Sequence, residues 1–264
     1  MIYCNLKGGL GNMLFQIAAT KSFSIDLGAE CSFPNLNSQL NLINNDTKYN
    51  PKIKHSFEYM SILKNLKTTP HSVKIKYFNF PFHYIDAPLE DNTLIDGFFQ
   101  SEKYFKHNRD KILDYIDFTE ASKIVKSKYG VILNQRTTSI HIRRGDYVRH
   151  PNHHPTQSIE YYNKSVDMLK DKTDKFLVFS DDINWCEENL KLENSIYIND
   201  EKDYNELYLM SLCDNNIIAN SSFSWWGAWL NKNGDKTVVG PTKWFGSAIN
   251  HKTSDILPDE WIKI

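Results

Sequence analysis

The sequence predicts an α/β protein made of two parallel-sheet units. Three observations carry this expectation. From Thr138 onward, apolar strand runs alternate with helical patterns, the order that builds a parallel sheet covered on both faces. The chain opens on a strand, a glycine turn and a helix, as a nucleotide-fold unit does. Its 264 residues suffice for about two domains. A chain of this length folds to about 12,000 Å² of surface from about 45,000 Å² extended, so it buries a real core.

The elements follow in order. Ile2 to Leu6 read as a strand, and Gly8, Gly9 and Gly11 form the turn after it. Leu14, Ile17, Ala18 and Ile25 then recur near helical spacing, and Gly28 sits where a left-handed helix cap falls. The stretch from Asn35 to Asn92 is rich in Asn, Lys, Pro and aromatics and reads as irregular. Within it Phe78, Phe80, Phe82 and Tyr84 alternate at period 2 as one strand face, either packed as core or lining a sugar site. The regular half begins with strand SIHI, followed by the loop RRGDYVRHPNHHP and a helix from Ser158 to Leu169. Strand KFLVFS then leads to a helix through Cys186 and Leu190. Strand SIYIN precedes a helix from Tyr204 to Cys213, NIIAN precedes one through Trp225 and Trp229, and TVVG is the last strand. The boundary between units falls between Lys123 and Gln135, giving domains 1–130 and 131–264.

Composition excludes several classes. Hydrophobic content of 41% and charged content of 24% are globular values, which argues against disorder. Lys+Arg of 31 against Asp+Glu of 32 provides no global attraction for nucleic acid, so any anion site must be local. Cys4, Cys31, Cys186 and Cys213 are scattered without a CxxC and suit reduced, buried thiols in the cytoplasm. The opening MIYCNLKGGLGN lacks the charged and apolar regions of a signal peptide, and no apolar run reaches a membrane span. A cytoplasmic protein is expected, with peripheral contact at the inner membrane face left open.

Four constellations carry chemistry. GGLGN, at positions 8 to 12, fits neither a P-loop nor a full dinucleotide fingerprint, since position 14 is Leu14. It is either a turn open to a ligand at Gly9 and Gly11, or a plain turn with Asn12 capping the helix. HIRRGD ends a strand, and side-chain alternation places His141 and Arg143 on one face. Either the arginines form internal Arg–Asp ion pairs that close the turn, or the roles divide, with Arg144 paired to Asp146 and Arg143 free for a diphosphate. Asp181 and Asp182 also end a strand, where one of them accepts from ribose or guanine or else caps the next helix. Asn220, Ser221, Ser222 and Phe223 stand at a strand-to-helix junction, where hydroxyls and free N–H groups suit an anion and an aromatic ring suits a base or sugar, or where the serines only cap the helix. Trp225, Trp226 and Trp229, by contrast, read as core.

Absences narrow the choice. No two aspartates stand at D-x-D spacing, so the carboxylate clamp for a metal–nucleotide-sugar complex is missing. No G-x-S-x-G elbow occurs. His150, His153 and His154 lie among prolines without paired cysteines and read as a polar loop, not a zinc site.

Together GGLGN…FQ, HIRRGDYV, SDD and NSSFSWWGAWL resemble the bacterial α-1,2-fucosyltransferases, from Gly8 to Leu230. The resemblance implies a GT-B fold, with two Rossmann-like domains facing across a cleft. It implies GDP-β-L-fucose as donor, held by the second domain, and no metal or other cofactor. The acceptor would be a galactose-terminated oligosaccharide or lipid-linked glycan on the side of the first domain. Arg143 would bind the diphosphate and His141 would line the nucleotide site. Asp181 or Asp182 would meet guanosine, with Asn220, Ser221, Ser222 and Phe223 about the phosphates and base. Gly9, Gly11 and Asn12 would face the reacting sugar. The family often has Gln after that Asn, where this chain has Met13.

The implied reaction is attack of an acceptor hydroxyl on the fucose anomeric carbon as GDP leaves, inverting β to α. Asp146 is the nearest motif carboxylate for a base; the variable middle segment is the other source. Two alternatives keep the fold. One changes the donor to another GDP-deoxysugar such as GDP-colitose, and the other is a nucleotide-binding module without turnover.

Overall fold

The computed structural model describes residues 1–45, 56–71, 74–199 and 201–264. They form two compact units. The first comprises the described residues of Met1–Asp46, His55–Asp117 and His251–Pro258; the second comprises those of Phe118–Asn250 and Asp259–Ile264.

The first unit holds β1 (Ile2–Cys4), α1 (Leu10–Asp26), β2 (Cys31–Ser32), α2 (Leu36–Asn45), β3 (Lys76–Asn79), β4 (Thr93–Asp96) and α3 (Arg109–Leu113). Its sheet has the order β2-β1-β4-β3, with parallel pairing throughout. β1 is buried along its whole length, so it reads as an apolar run without alternation. α1 ends as expected at Gly28, whose φ of +61° an L side chain rarely adopts. α2 lies inside the stretch expected to be irregular. Its Leu36, Leu40 and Ile43 fall at i, i+4 and i+7 and are buried, whereas the asparagines between them obscure the period.

The expected aromatic strand face is shorter than its alternation suggests. β3 ends at Asn79, and the Phe80 N–H closes the pairing on the Asp96 carbonyl at 2.7 Å. Phe80 then packs among Phe23, Phe99 and Tyr104, with ring centroids 5.0 to 5.7 Å apart, as core. Beyond it, Phe82 stacks on His251 at 4.6 Å and Tyr84 packs on Tyr104 at 4.8 Å. Residues 251–258 are thus tied to the first unit.

The second unit holds α4 (Thr119–Tyr129), β5 (Thr137–Ile142), α5 (Gly145–Arg149), α6 (Ile159–Leu169), β6 (Lys175–Ser180), α7 (Ile183–Asn189), β7 (Ser195–Ile198), α8 (Asp203–Leu212), β8 (Asn215–Ile217), α9 (Ser222–Leu230), β9 (Val238–Gly240) and β10 (Ile262–Lys263). All its strands pair in parallel in the order β10-β9-β8-β5-β6-β7. Every residue of β5 is buried, with Ile140 opposite Val178 on one side and Ile217 on the other. Trp225, Trp226 and Trp229 are core, and α9 approaches α8 so closely that a Cβ on Gly227 would stand 2.9 Å from Met210 Cβ. The chain enters this unit at Phe118, ahead of the expected 123–135, because α4 packs on α8 and Phe118 stacks on Tyr208 at 4.9 Å.

Both sheets change direction beside their first strand. In the first the chain steps from β1 outward to β2, then crosses to β3 at the far edge and inserts β4 between β3 and β1. In the second it steps from β5 to β6 and β7, then returns to β8 on β5's other side. Open α/β sheets take ligands at the carboxyl ends of the strands flanking such a reversal. The loops after β1 and β4, and after β5 and β8, are therefore the places to look.

Candidate active site

The second unit's reversal gathers the HIRRGD loop, the Asp181–Asp182 pair and the Asn220–Phe223 junction. His141 is buried at the end of β5, and its ring lies 5.5 Å from that of Phe223. Ser221 caps α9, its Oγ accepting from the Phe223 N–H at 3.3 Å, while Ser222 and Phe223 stay partly exposed on the first turn. Asn220 is a structural tie. Its Nδ2 donates to the carbonyls of Pro155 at 3.0 Å and Trp244 at 2.9 Å, and its carbonyl accepts from the Tyr147 hydroxyl at 3.0 Å.

The arginine pairs differ from the expected ones. It is Arg143, not Arg144, that pairs with Asp146, through Nη2 to Oδ1 at 2.6 Å, and its Nη1 lies 3.0 Å from Asp181 Oδ2. Arg144 instead donates from Nε to Asp182 at 2.9 Å and lies over the Trp185 ring at 3.8 Å. Period 2 misassigns the partners because β5 ends at Ile142: the backbone turns into α5 at Arg144, and alternation no longer applies. Burial works against the Arg143 charge, but Asp181 and then Asp146 outweigh it and hold the guanidinium above its ordinary range. Arg143 therefore stays cationic and aimed, with its side chain 27% exposed.

Asp181 anchors this loop. Its side chain is 6% exposed, Oδ1 accepts from the Arg144 N–H at 2.8 Å, and Oδ2 faces Arg143. A Cβ on Gly145 would stand 2.3 Å from that Oδ2, so the glycine of RRGD is required by close approach. Asp182, 39% exposed, caps α7 by accepting from the Trp185 N–H at 3.4 Å. Beside the loop, burial pushes the Tyr147 hydroxyl up to about 12, so it stays a donor at neutral pH. His154 stacks on Tyr147 at 4.9 Å; among the described residues no three His, Cys, Asp or Glu side chains converge as a metal site would.

The first unit's reversal is built from neutral amides. Asn35 holds Leu6 by its N–H at 2.7 Å and its carbonyl at 2.8 Å. Gln16, fully buried, holds the Lys7 N–H and carbonyl at 2.9 Å each, and Gln39 donates to the Gly8 carbonyl at 2.9 Å. Three successive peptide units are thereby fixed ahead of α1. Gly8 needs its φ of +81°, and a Cβ there would stand 2.5 Å from Asn12 Nδ2. Gly9, not Asn12, is the N-cap of α1, and a Cβ on it would meet nothing within 4 Å. Gly11 is buried in the first turn, and Asn12, partly buried, accepts from Gln100 Nε2 at 2.7 Å. Met13 is buried and apolar; the polar work of this loop falls to Gln16.

Sequence reasoning did not find Asn35, Gln39 or Gln100, and it named Gly145 within HIRRGD without its close approach to Asp181. The available signal was the run Asp96-Gly97-Phe98-Phe99-Gln100 after the apolar Thr93-Leu94-Ile95, a second strand ending in glycine like the first.

Comparison with known proteins decides the family. The family model described as Glycosyl transferase family 11 matches residues 1–264. The chain belongs to that family. Family 11 membership makes it a glycosyltransferase. It is 31% identical to the O-antigen biosynthesis glycosyltransferase WbnK of Escherichia coli, over 100% of both chains. It is 30% identical to an α-1,2-colitosyltransferase of Escherichia coli, over 100% of this chain and 99% of that one. Among solved structures, the NodZ α-1,6-fucosyltransferase soaked with GDP-fucose matches with a TM-score of 0.56 at 12% identity, over 86% of this chain and 91% of that one. This last likeness supports the α/β fold of parallel sheets.

Proposed function

We propose that this family 11 enzyme transfers L-fucose from GDP-β-L-fucose to the 2-hydroxyl of a β-galactoside, with inversion, giving an α-1,2 linkage. The division of labour is of GT-B type, with the donor on the second unit and the acceptor side on the first. The observation that carries the reading is the convergence, at the second unit's strand reversal, of Arg143, His141 and the Ser221–Phe223 helix start. Arg143 has five N–H donors, of which Asp146 takes one in a hydrogen bond while Asp181 stands beside Nη1 as an ion pair, so others remain for a diphosphate. The first turn of α9 adds Ser222 and backbone N–H groups. His141 and Phe223 line the nucleotide. Asp182, the more exposed of the two carboxylates, is the one left to accept from guanine, since Asp181 holds the loop.

In the reaction the acceptor oxygen bonds to the anomeric carbon while that carbon's bond to the β-phosphate oxygen breaks. The electron pair leaves with GDP, and the hydroxyl proton passes to solvent. Fixed donors at the departing phosphate stabilise the charge that grows there, an effect of about 3–4 kcal/mol per donor. Asp146 accepts from Arg143 and so orients that donor. No D-x-D clamp is present in the sequence, and catalysis without a divalent cation follows from this reading.

A second donor is favoured by a specific observation, the 30% identity to the α-1,2-colitosyltransferase over nearly its whole length. The likeness to WbnK points to an O-antigen glycan as acceptor. No helix among the described residues is long and apolar enough to cross a membrane. With a lipid-linked acceptor the enzyme would work in peripheral contact with the membrane face.

The test pairs GDP-fucose and GDP-colitose with a panel of galactosides, with and without excess EDTA, reading products by mass spectrometry and linkage by NMR. An α-1,2-fucosylated galactoside in EDTA is the expected result. Preference for GDP-colitose replaces the donor, loss of activity restored by manganese overturns the metal-free mechanism, and GDP binding with no product from any pair overturns the transferase reading.

A further inference from the structure

Gln100 belongs to none of the four sequence motifs, yet it meets one of their residues. It lies beyond the carboxyl end of β4, 7% exposed, and donates from Nε2 to Asn12 Oδ1. Its own Oε1 is buried without a hydrogen-bond partner in the protein. Buried amides are rarely left this way, and each exception calls for a reason.

The backbone leading to Gln100 is strained. Phe99 has a φ of +52°, a region that bulky residues seldom adopt. It is held there by packing: Phe99 is fully buried among Phe23, Phe80 and Tyr104, and a Cβ on Gly97 would stand 2.9 Å from Phe80 Cβ. Strain that surrounding structure enforces is concentrated where a side chain must be aimed. The side chain aimed here is the amide of Gln100. Because β1 and β4 are neighbours on either side of the strand reversal, the Gln100–Asn12 bond crosses the position where such sheets take ligands.

We propose that Gln100 is the positioning residue for Asn12, fixing which end of the Asn12 amide meets the reacting sugar. The inference rests on the proposed function. With Oδ1 occupied by Gln100, Asn12 Nδ2 lies over Gly8, where the absent side chains of Gly8 and Gly9 leave the approach open. Asn12 is thereby a donor toward the reacting centre, matched to a lone pair of a sugar hydroxyl oxygen that it can hold in the reacting pose. A reversed amide would present an acceptor there and meet the same lone pair with no proton between them.

The test uses variants that reverse or delete the bond. Gln100→Glu can only accept, so it draws Asn12 Nδ2 to itself and turns Oδ1 toward the ligand; Gln100→Met keeps the size and removes the bond. Asn12→Ala is expected to lower kcat about 100-fold, Gln100→Glu about as much, and Gln100→Met about 10-fold, with KM for the donor and GDP affinity within about threefold. In the Asn12→Ala background Gln100→Glu should have no further effect, as coupled residues show. The Asn12 side-chain amide signal in a nitrogen–proton NMR spectrum should shift in Gln100→Met, a readout that needs no turnover. Wild-type kcat in both Gln100 variants, an equal loss from Gln100→Glu in the Asn12→Ala background, or an unmoved Asn12 amide signal each overturns the inference. A wild-type enzyme that transfers nothing overturns the function instead, and the amide signal still decides the pair.

Discussion

The loop after β1 and the loop after β5 occupy equivalent places, each beside the reversal of its own parallel sheet, yet they are held by different chemistry. The first is fixed by neutral amides: Asn35 on Leu6, Gln16 on Lys7, Gln39 on Gly8 and Gln100 on Asn12. The second is fixed by charges: Arg143 between Asp146 and Asp181, and Arg144 between Asp182 and Trp185. An amide frame aims donors and acceptors without net charge or a titration. A charge frame keeps a cation permanently aimed, at the cost of desolvating its counter-ions. The contrast matches the proposed partners, an uncharged sugar at the first loop and an anionic diphosphate at the second.

The largest effect should come from breaking the charge frame at its buried member. Asp181→Ala leaves Arg143 with one partner and the Arg144 N–H with none, and should cost about 3–5 kcal/mol in urea unfolding. A loss under about 1 kcal/mol would mean that the loop is held by its backbone and not by this carboxylate. Arg143→Lys should come next. A lysine cannot serve Asp146 and Asp181 together with a diphosphate, so transition-state stabilisation falls by about 2–4 kcal/mol. Thermal stability should fall with it, against the sequence expectation of an arginine waiting for its ligand. An unchanged melting temperature would restore that expectation. Arg144→Lys keeps the charge near Asp182 and loses the overlap with Trp185, about 1 kcal/mol, with little change in kcat.

The amide frame should respond less, and evenly. Gln16→Leu leaves a partly buried N–H and carbonyl of Lys7 unpaired, about 2 kcal/mol in total. The cost should be the same at pH 7.5 and 5.5 and at low and high salt, because no charge is involved. Dependence on either would show that Lys7 and its ion pair with Asp96, not the amides, hold the loop.

What was legible in the sequence follows the same division. Charged motifs announce themselves locally: Arg143, Asp146, Asp181 and Asp182 all lie within motifs readable from the chain, and only their pairing was misread, once the strand ended at Ile142. The regular half was legible because β5 and β6 are six-residue, largely buried strands that set the alternation with helices, and its helix caps, Ser158, Asp182 and Ser221, are residues that cap by chemistry. The amide frame was illegible because its partners stand 9, 29, 31 and 88 residues apart, and a lone Gln or Asn carries no period or sign. β4 was missed because it directly follows the Asn-, Lys- and Pro-rich stretch read as irregular, whereas β7, equally short, is framed by helical patterns on both sides. β10 pairs after the chain has returned from the first unit, a contact set by tertiary structure alone.

The smallest predicted effect separates the two frames by pH. His154 stacks on Tyr147 at 4.9 Å and packs near Phe245 at 5.6 Å, at the edge of the charge frame. Burial depresses its pKa; Asp146 opposes this, and His153, Arg143 and His150 add to it, so the net direction is downward. The unfolded chain, with an ordinary histidine near ~6.5, then binds the proton more readily than the folded one. Stability is therefore full above about pH 6.5 and is lost as pH falls through the lower folded value. Because the ring is only partly buried, solvent screening limits the effect to on the order of 0.5 kcal/mol. His154→Phe keeps the ring on Tyr147 and removes the titration. Urea unfolding at pH 7.5 and 5.5 should show the variant losing less stability than the parent between the two, by that amount. Equal losses would show that titration of the His154 ring does not contribute to acid sensitivity.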